Sequence, residues 1–343
     1  MAVIKPKAPI QAPCPWHQEE MQLRLQQFQQ GRLPHALLFS GAPGIGKFRL
    51  AESFAQLLFC ARPVGGLPCG ECDGCHLSAA GTHPDYHALS PEAGSHVIKI
   101  DQVRRLVEFC ARTAHHGGAR VALIAPAEAL NRNAQNALLK TLEEPGDGLV
   151  LLLVSHQPSL LLPTIRSRCQ HRRLPLPATE AALSWLKLQV GENANESAGE
   201  SAGALLAAAR GAPLAALGLE DADWFVRREQ LVAELLAVAQ GRVSPSQGAR
   251  LLTGFEPRVM AAALYGWLAR AAHLAALGEA PALPAAVSDP KVEPLLQQLA
   301  AALPPARLLH SAQRVLAGYR NLLAGANPNK ELLVEQWLLS LVR

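Results

Sequence analysis

Long apolar runs are missing from this 343-residue sequence, and aromatic residues make up only 5% of it. A membrane-spanning helix needs about 18 or more consecutive apolar residues. The strongly apolar run at 149–154 is far shorter and fits a buried strand. The amino-terminal segment contains several prolines and lacks the continuous apolar stretch of a secretory signal. We therefore expect a cytoplasmic protein that has no membrane partner.

A large excess of one charge is also missing, since 32 Lys and Arg stand against 28 Asp and Glu. Residues 1–175 carry 18 basic and 13 acidic side chains (+5), and the remainder carries 14 and 15 (−1). This asymmetry weakly favours an anionic partner for the first half, but on charge alone we prefer an ordinary solvated surface as the explanation. A hydrophobic content of 49% with 17% charged residues indicates a folded chain, and its length indicates two or three domains.

A hydroxyl is missing where a phosphate-binding loop should end. The segment Gly41-Ala42-Pro43-Gly44-Ile45-Gly46-Lys47 fits the pattern G-x-x-x-x-G-K, but Phe48 replaces the Ser or Thr that binds Mg²⁺. Backbone N–H groups and a lysine are the parts that bind phosphate. Nucleotide binding through Gly41, Gly44, Gly46 and Lys47 therefore stays open, whereas no catalytic magnesium is expected.

The apolar pattern predicts a parallel α/β domain followed by helices. Short apolar strands are expected at 36–40, 120–125 and 149–155, with helices over 48–59 and 134–144. Such alternation is typical of a parallel sheet that is covered on both faces. Beyond Cys169 the composition changes. Pro175 and Pro177 mark a boundary, and a polar loop is expected over 191–203. Helices are then predicted at 225–240, 257–276, 292–302, 307–324 and 331–342.

Four cysteines follow the first predicted helix with the spacing C-x8-C-x2-C-x2-C, at Cys60, Cys69, Cys72 and Cys75. Four thiolates in a short loop can surround Zn²⁺ tetrahedrally, and the site is then closed to catalysis. A disulfide framework and an iron–sulfur cluster are the alternatives, and a cytosolic chain with a large core disfavours the first. We favour structural zinc that folds the loop. His76 and His83 could be substitute ligands but fit surface histidines better, whereas Cys14, Cys110 and Cys169 fit no metal spacing.

Four motifs in order resemble one protein family. The phosphate loop, the four-cysteine insert, the run NALLKTLEEP at 136–145 and Ser167-Arg168-Cys169 together cover residues 36–170. In these motifs the chain resembles the AAA+ subunits of the bacterial DNA polymerase III clamp loader, and most closely the delta-prime subunits. The resemblance implies an α/β AAA+ (P-loop) domain at 1–174 with a zinc module at 60–77. It also implies a small helical lid at 175–219 and an all-α collar, for oligomerisation, at 220–343.

The resemblance also shows which catalytic groups are absent. In hydrolysing relatives the strand that corresponds to 121–124 ends in two acidic residues, and here Ala125 and Pro126 take their places. Glu128 is expected to point elsewhere, and Leu214 occupies the position of a phosphate-sensing arginine. These losses imply a silent subunit of a five-membered ring that loads the sliding clamp onto primer-template DNA. Its implied partners are the tau/gamma ATPases, the delta subunit, the clamp and DNA.

Arg168 is retained, and the resemblance implies that it serves as an arginine finger in a neighbour's ATP site. Arg104 and Arg105 are candidates for sequence-independent contact with the DNA backbone, although exposed helix arginines explain them equally well. Two other functions were weighed. A hydrolysing tau/gamma-like ATPase conflicts with Phe48, Ala125 and Pro126. A zinc-ribbon DNA-binding protein predicts basic and aromatic residues around the cysteines, where acidic ones occur instead.

Overall fold

The computed structural model describes residues 12–93, 95–114, 118–190, 197–219, 222–278, 289–323 and 326–342. The chain divides after Pro177 into two compact units, Met1–Pro177 and Ala178–Arg343. The prediction of a separate lid and collar concerns the interior of the second unit, and it stays a prediction.

A five-stranded parallel sheet forms the centre of the first unit. Its strands are β1 (Ala36–Ser40), β2 (Tyr86–Leu89), β3 (Arg120–Ile124), β4 (Leu149–Ser155) and β5 (Gln170–Arg173). They lie in the order β2-β3-β4-β1-β5, and β1 pairs with β4 from Ala36–Leu151 to Ser40–Ser155. The sequence predicted β1, β3 and β4 because their apolar runs are buried throughout. It missed both edge strands, β2 and β5, and the residues of β5 are polar and exposed.

The described part of the first unit contains six α-helices: α1 (Gln18–Gln29), α2 (Lys47–Phe59), α3 (Asp73–Ala79), α4 (Ile100–Cys110), α5 (Arg132–Glu143) and α6 (Pro163–Arg168). Alternate residues of the strands, such as Leu38 and Leu151, pack with α4, α5 and α6 in one apolar cluster. The helix α2 contacts β1, β3 and β4. Because successive side chains of a strand point to opposite faces, coverage of both faces explains why the central strands are apolar at nearly every position.

The second unit is helical in every described element, as the sequence predicted. Its helices are α7 (Thr179–Val190), α8 (Ser197–Ala208), α9 (Pro213–Leu217), α10 (Asp223–Val226), α11 (Arg228–Ala239), α12 (Pro245–Leu252), α13 (Pro257–Leu277), α14 (Glu293–Ala302), α15 (Pro305–Leu323) and α16 (Lys330–Val342). The polar loop expected over 191–203 is wrong from Ser197 onward, where α8 begins. Residues 191–196 lie outside the described residues.

By length and composition alone, α13 is the one described helix that could cross a membrane. It packs against α14 and α15, and Met260, Leu264 and Leu268 are buried on it. Arg270 of the same helix forms an ion pair with Glu293 of α14. These contacts pack one face of α13 against the neighbouring helices of the same unit.

Candidate functional site

The three loops that carry the candidate nucleotide site meet at one edge of the sheet. Because β3, β4 and β1 are adjacent and parallel, their carboxyl ends lie side by side. The phosphate loop follows β1, Ala125-Pro126 follows β3, and His156 follows β4. This edge is where ligands bind in open α/β sheets.

Backbone geometry explains the glycines of the phosphate loop. Gly44 and Gly46 have φ angles of 77° and 91°, in the left-handed region that favours glycine. A Cβ at Gly41 would lie 2.4 Å from the carbonyl oxygen of Leu174. These glycines therefore allow the tight turn by which the chain passes from β1 to α2.

The lysine of the loop is buried and bonded to the loop itself. Lys47 is 3% exposed, and its Nζ donates to the carbonyl oxygens of Gly41 at 2.8 Å and Ala42 at 2.6 Å. Burial lowers the pKa of Lys47 to about 8, although the charge of Glu128 acts in the opposite direction. The ammonium is therefore occupied by carbonyl oxygens of its own loop.

The segment before α1 covers this loop, which the sequence did not predict. The indole Nε1 of Trp16 donates to the carbonyl oxygen of Ile45 at 2.9 Å, and Arg49 Nε donates to that of Ala12 at 2.6 Å. His17 is buried next to Trp16, and neither of its ring nitrogens has a hydrogen-bond partner among the described residues. Burial, with a contribution from the charge of Lys47, lowers the pKa of His17 to about 4.

The position of Glu128 corrects one expectation. We expected Glu128 to point elsewhere, but it lies at the same edge of the sheet, where its charge partly offsets the lowering of the Lys47 pKa by burial. Glu128 Oε1 accepts from the backbone N–H of His156 at 2.9 Å, which bridges the loops after β3 and β4. The short 3-10 turn at Ala127–Ala129 turns the chain back toward β4, and no sequence signal revealed this path.

The four cysteines converge as their spacing predicted. Their sulfurs all lie within 4.8 Å of one another, with Cys69–Cys75 at 3.9 Å and Cys60–Cys72 at 4.0 Å. A tetrahedron of Zn–S bonds of about 2.3 Å spaces its sulfurs about 3.8 Å apart, so the cluster has the dimensions of a metal site. A disulfide requires about 2.05 Å between its sulfurs, so these four cysteines are free thiols in this structure.

The surroundings of the cluster shift the pKa values of its thiols in both directions: burial raises those of Cys60 and Cys75, whereas those of Cys69 and Cys72 are lowered. Cys60 Sγ accepts from the N–H of Cys69 at 3.2 Å, and Cys72 Sγ accepts from that of Ala61 at 3.5 Å. Burial raises the pKa of Cys72, but backbone N–H donors and neighbouring thiols outweigh it and bring the value to about 6. These sulfurs fit a divalent metal, which requires deprotonated ligands.

Phe59, immediately before Cys60, holds the cysteine loop against the end of α2. A Cβ at Gly74 of α3 would lie 2.1 Å from the carbonyl oxygen of Phe59, so only glycine permits this approach. The ring of His83 stacks on that of Phe59 at 3.8 Å between centroids. His83 is therefore buried, contrary to our expectation of a surface histidine, whereas His76 is exposed as expected.

Arg168 lies at the end of α6 with its side chain 36% exposed. Its Nη2 contacts Glu143 Oε1 at 2.7 Å, and its Nη1 donates to the carbonyl oxygen of Thr164 at 3.1 Å. The flanking residue Cys169 is buried. The guanidinium thus sits on the surface, at the end of a helix that is anchored in the core.

The remaining candidates lie apart from these sites. Arg104 and Arg105 are exposed on α4, and Arg104 pairs with Asp101 at 3.2 Å. Leu214 lies in α9 of the second unit. The nearby Arg210 donates to the carbonyl oxygen of Ala262 at 2.8 Å and therefore connects the turn before α9 to α13.

Two family descriptions together match most of the chain. "DNA polymerase III, delta subunit" matches residues 16–177, and "DNA polymerase III, delta subunit, C terminal" matches residues 222–343. The DNA polymerase III subunit delta' of Escherichia coli is 36% identical over 95% of this chain and 94% of its own length. The chain belongs to the DNA polymerase III delta' family.

Other relatives agree with this placement. The delta' subunit of Pseudomonas aeruginosa is 48% identical over 62% of this chain and 63% of its own length. The tau/gamma subunit of Haemophilus influenzae is 40% identical, but over only 40% of this chain and 20% of its own length. A delta' subunit is thus matched over 95% of the chain, whereas the tau/gamma likeness is confined to 40% of it.

Proposed function

We propose that this chain is a non-hydrolysing subunit of the replicative clamp loader, in which it acts as a scaffold of the AAA+ ring. During loading of the sliding clamp onto primed DNA, Arg168 enters the ATP site of a neighbouring subunit. Membership of the delta' family supports the assembly, with tau/gamma and delta as partners in the cytoplasm. The lid at 175–219 and the collar at 220–343 belong to the same proposal.

The observation that carries the proposal is the contrast between the chain's own loop and Arg168. Phe48, Ala125 and Pro126 offer neither a metal ligand nor a base at the carboxyl edge of the sheet. Arg168, by contrast, is an exposed cation on an anchored helix. An arginine that meets the γ-phosphate of a neighbour stabilises the charge that builds up there, which is worth roughly 10³–10⁵ in rate.

We also propose that the four cysteines hold one structural zinc ion. The sulfur spacing and the N–H donors to Cys60 and Cys72 support this assignment. Four thiolates leave no open coordination position, so the bound ion would cross-link the glycine-rich loop at 60–77. DNA contact through Arg104 and Arg105 is a weaker part of the proposal, because Asp101 already neutralises Arg104.

Reconstitution with the ATPase and delta subunits tests the arginine proposal. Arg168→Ala should assemble normally, because an exposed arginine contributes little to its own fold. DNA-stimulated ATP turnover at the neighbouring site should fall at least about tenfold, and clamp loading should fall with it. Arg168→Lys should rescue poorly, because an ammonium lacks the planar fork that meets two phosphate oxygens.

Arg166→Ala is the matched control, since it removes another exposed arginine from the same short helix. It should leave turnover unchanged. A ring with Arg168→Ala that hydrolyses ATP and loads clamps at the normal rate would show that the chain is a purely structural member of the ring.

A further inference from the structure

We propose that Glu143 is a positioning residue for Arg168, and that it orients the guanidinium before the neighbouring ATP site closes around it. This inference rests on the proposed role of Arg168 in trans. It goes further because it assigns a second side chain of this subunit to the same reaction.

The core of the first unit brings the two residues together. Leu142 at the end of α5 and both Ile165 and Cys169 at α6 are buried in one apolar cluster. Glu143 and Arg168 each directly adjoin one of these buried residues in sequence, so packing fixes where their backbones emerge. The ion pair is therefore a consequence of how the two helix ends are anchored, although 25 residues separate its members.

Two contacts are enough to define the plane of the guanidinium. Glu143 Oε1 lies 2.7 Å from Nη2, and the carbonyl oxygen of Thr164 accepts from Nη1 at 3.1 Å. A guanidinium has five N–H donors in a rigid fork, so donors remain for a phosphate once these contacts are made. Ordering the long side chain in advance removes rotamer freedom that would otherwise be lost on engagement.

The ion pair is exposed enough for Arg168 to contact a phosphate while it still contacts Glu143. The side chains of Glu143 and Arg168 are 49% and 36% exposed, so solvent weakens their attraction. A buried partner would hold the arginine back from an incoming anion. A solvated carboxylate restrains its direction and still lets it engage.

The experiment uses the reconstituted ring with full-length chain and measures kcat and KM for DNA-stimulated ATP hydrolysis. The difference in turnover between the parent ring and the Arg168→Ala ring is the arginine-dependent turnover. Glu143→Gln should lower the kcat of this arginine-dependent turnover by about two- to fivefold, as expected for loss of one exposed ion pair, and should leave KM unchanged. Glu143→Asp, which keeps the charge, should recover part of the loss.

Two controls separate positioning from a general defect. Glu144→Gln makes the same change one residue further on, and no ion pair of Glu144 occurs among the described parts of the chain, so it should have no effect. Combining Glu143→Gln with Arg168→Ala should add nothing to Arg168→Ala alone.

The inference is overturned if Glu143→Gln leaves kcat unchanged or raises it, or if its effect persists without Arg168. Normal turnover in Arg168→Ala is a different result, because it removes the proposed function itself. If Arg168→Ala loses turnover as expected and Glu143→Gln changes nothing, only the positioning role of Glu143 is excluded.

Discussion

Lys47 and His17 are two basic side chains buried close together beside the phosphate loop. Lys47 satisfies its ammonium with the carbonyl oxygens of Gly41 and Ala42. His17 is only 2% exposed and has no hydrogen-bond partner for its ring nitrogens among the residues described. Protonating His17 would place a second, unpaired charge next to Lys47. The neutral imidazole is therefore part of the folded state.

The pKa of His17 predicts a loss of stability in mild acid. Burial lowers that pKa to about 4 in the folded chain, whereas an unfolded histidine titrates near 6.5. Between these values the unfolded state binds a proton that the folded state does not, so this contribution is complete above pH 6.5 and is lost as the pH falls toward 4. Between pH 6.5 and 5 it amounts to about 2 kcal/mol.

Denaturant unfolding at pH 7 and pH 5 measures this contribution. His17→Phe keeps an aromatic ring and removes the titration, so its loss of stability between the two pH values should be smaller than that of the parent chain by about 2 kcal/mol. His96→Phe, at an exposed position, is the control and should follow the parent. Equal losses for the parent chain and His17→Phe would mean that His17 is not kept neutral by the fold.

The approach of α3 to the end of α2 determines where the four sulfurs meet. Cys60 follows the last residue of α2, whereas Cys75 lies within α3 and Cys72 caps it. The contact between Gly74 and the carbonyl oxygen of Phe59 sets the distance between these helices. The stacked ring of His83 holds Phe59 from another side.

Gly74→Ala should therefore weaken metal binding although it changes no ligand. The added carbon would lie 2.1 Å from the Phe59 oxygen, so α3 must move away and carry Cys72 and Cys75 with it. Overpacking of this kind costs about 1–3 kcal/mol. Elemental analysis should give one zinc per parent chain, and Gly74→Ala should release it to a chelator faster.

His76→Ala is the matched control, because His76 is exposed on the same helix and should leave zinc content and release unchanged. Zinc loss in this variant would make His76 a ligand and contradict the four-cysteine assignment. A folded parent chain that contains iron would instead favour the iron–sulfur alternative.

A helix or strand could be predicted from the sequence where its side chains are buried or where local residues end it. The runs at β1 and β4 are apolar because both faces of the sheet are covered, so composition alone identified them. The end of α5 was predicted within one residue, because Pro145 and Gly146 stop the helix. By contrast β5 is a polar edge strand that exists through its pairing with β1, and α8 begins in a Gly/Ser/Glu stretch typical of loops.

At the scale of the whole chain, some parts of the candidate sites could be predicted from the sequence and others could not. The cysteine cluster and the phosphate loop were predictable because their residues are close in sequence and spaced by local geometry. The contacts of Glu128 with His156, of Trp16 with Ile45 and of Arg168 with Glu143 join segments 25 to 29 residues apart. Only the folded chain fixes such pairs, so the covering of the loop and the partner of Arg168 could not be predicted.

The chain as a whole should therefore hydrolyse no ATP when it is alone. Phe48 offers no oxygen to a metal, and Ala125 and Pro126 offer no carboxylate, so the groups that activate water are absent from their expected positions. Glu128 is the one carboxylate described near these positions; its Oε1 accepts from the backbone of His156, whereas its buried Oε2 has no hydrogen-bond partner among the described residues. Lys47 would also have to leave its two loop carbonyls before it could meet a phosphate.

A sensitive phosphate-release assay on the purified chain, with Mg²⁺ and ATP, should give the same background rate for the parent, Lys47→Ala and Glu128→Gln. The two variants separate a contaminating ATPase from a real one, because contamination is indifferent to both substitutions. Turnover that persists through purification and falls in Lys47→Ala would mean that the loop hydrolyses ATP after all. A fall in Glu128→Gln as well would identify Glu128 as the base that replaces the missing acids, and the chain would then be a motor of the ring instead of its scaffold.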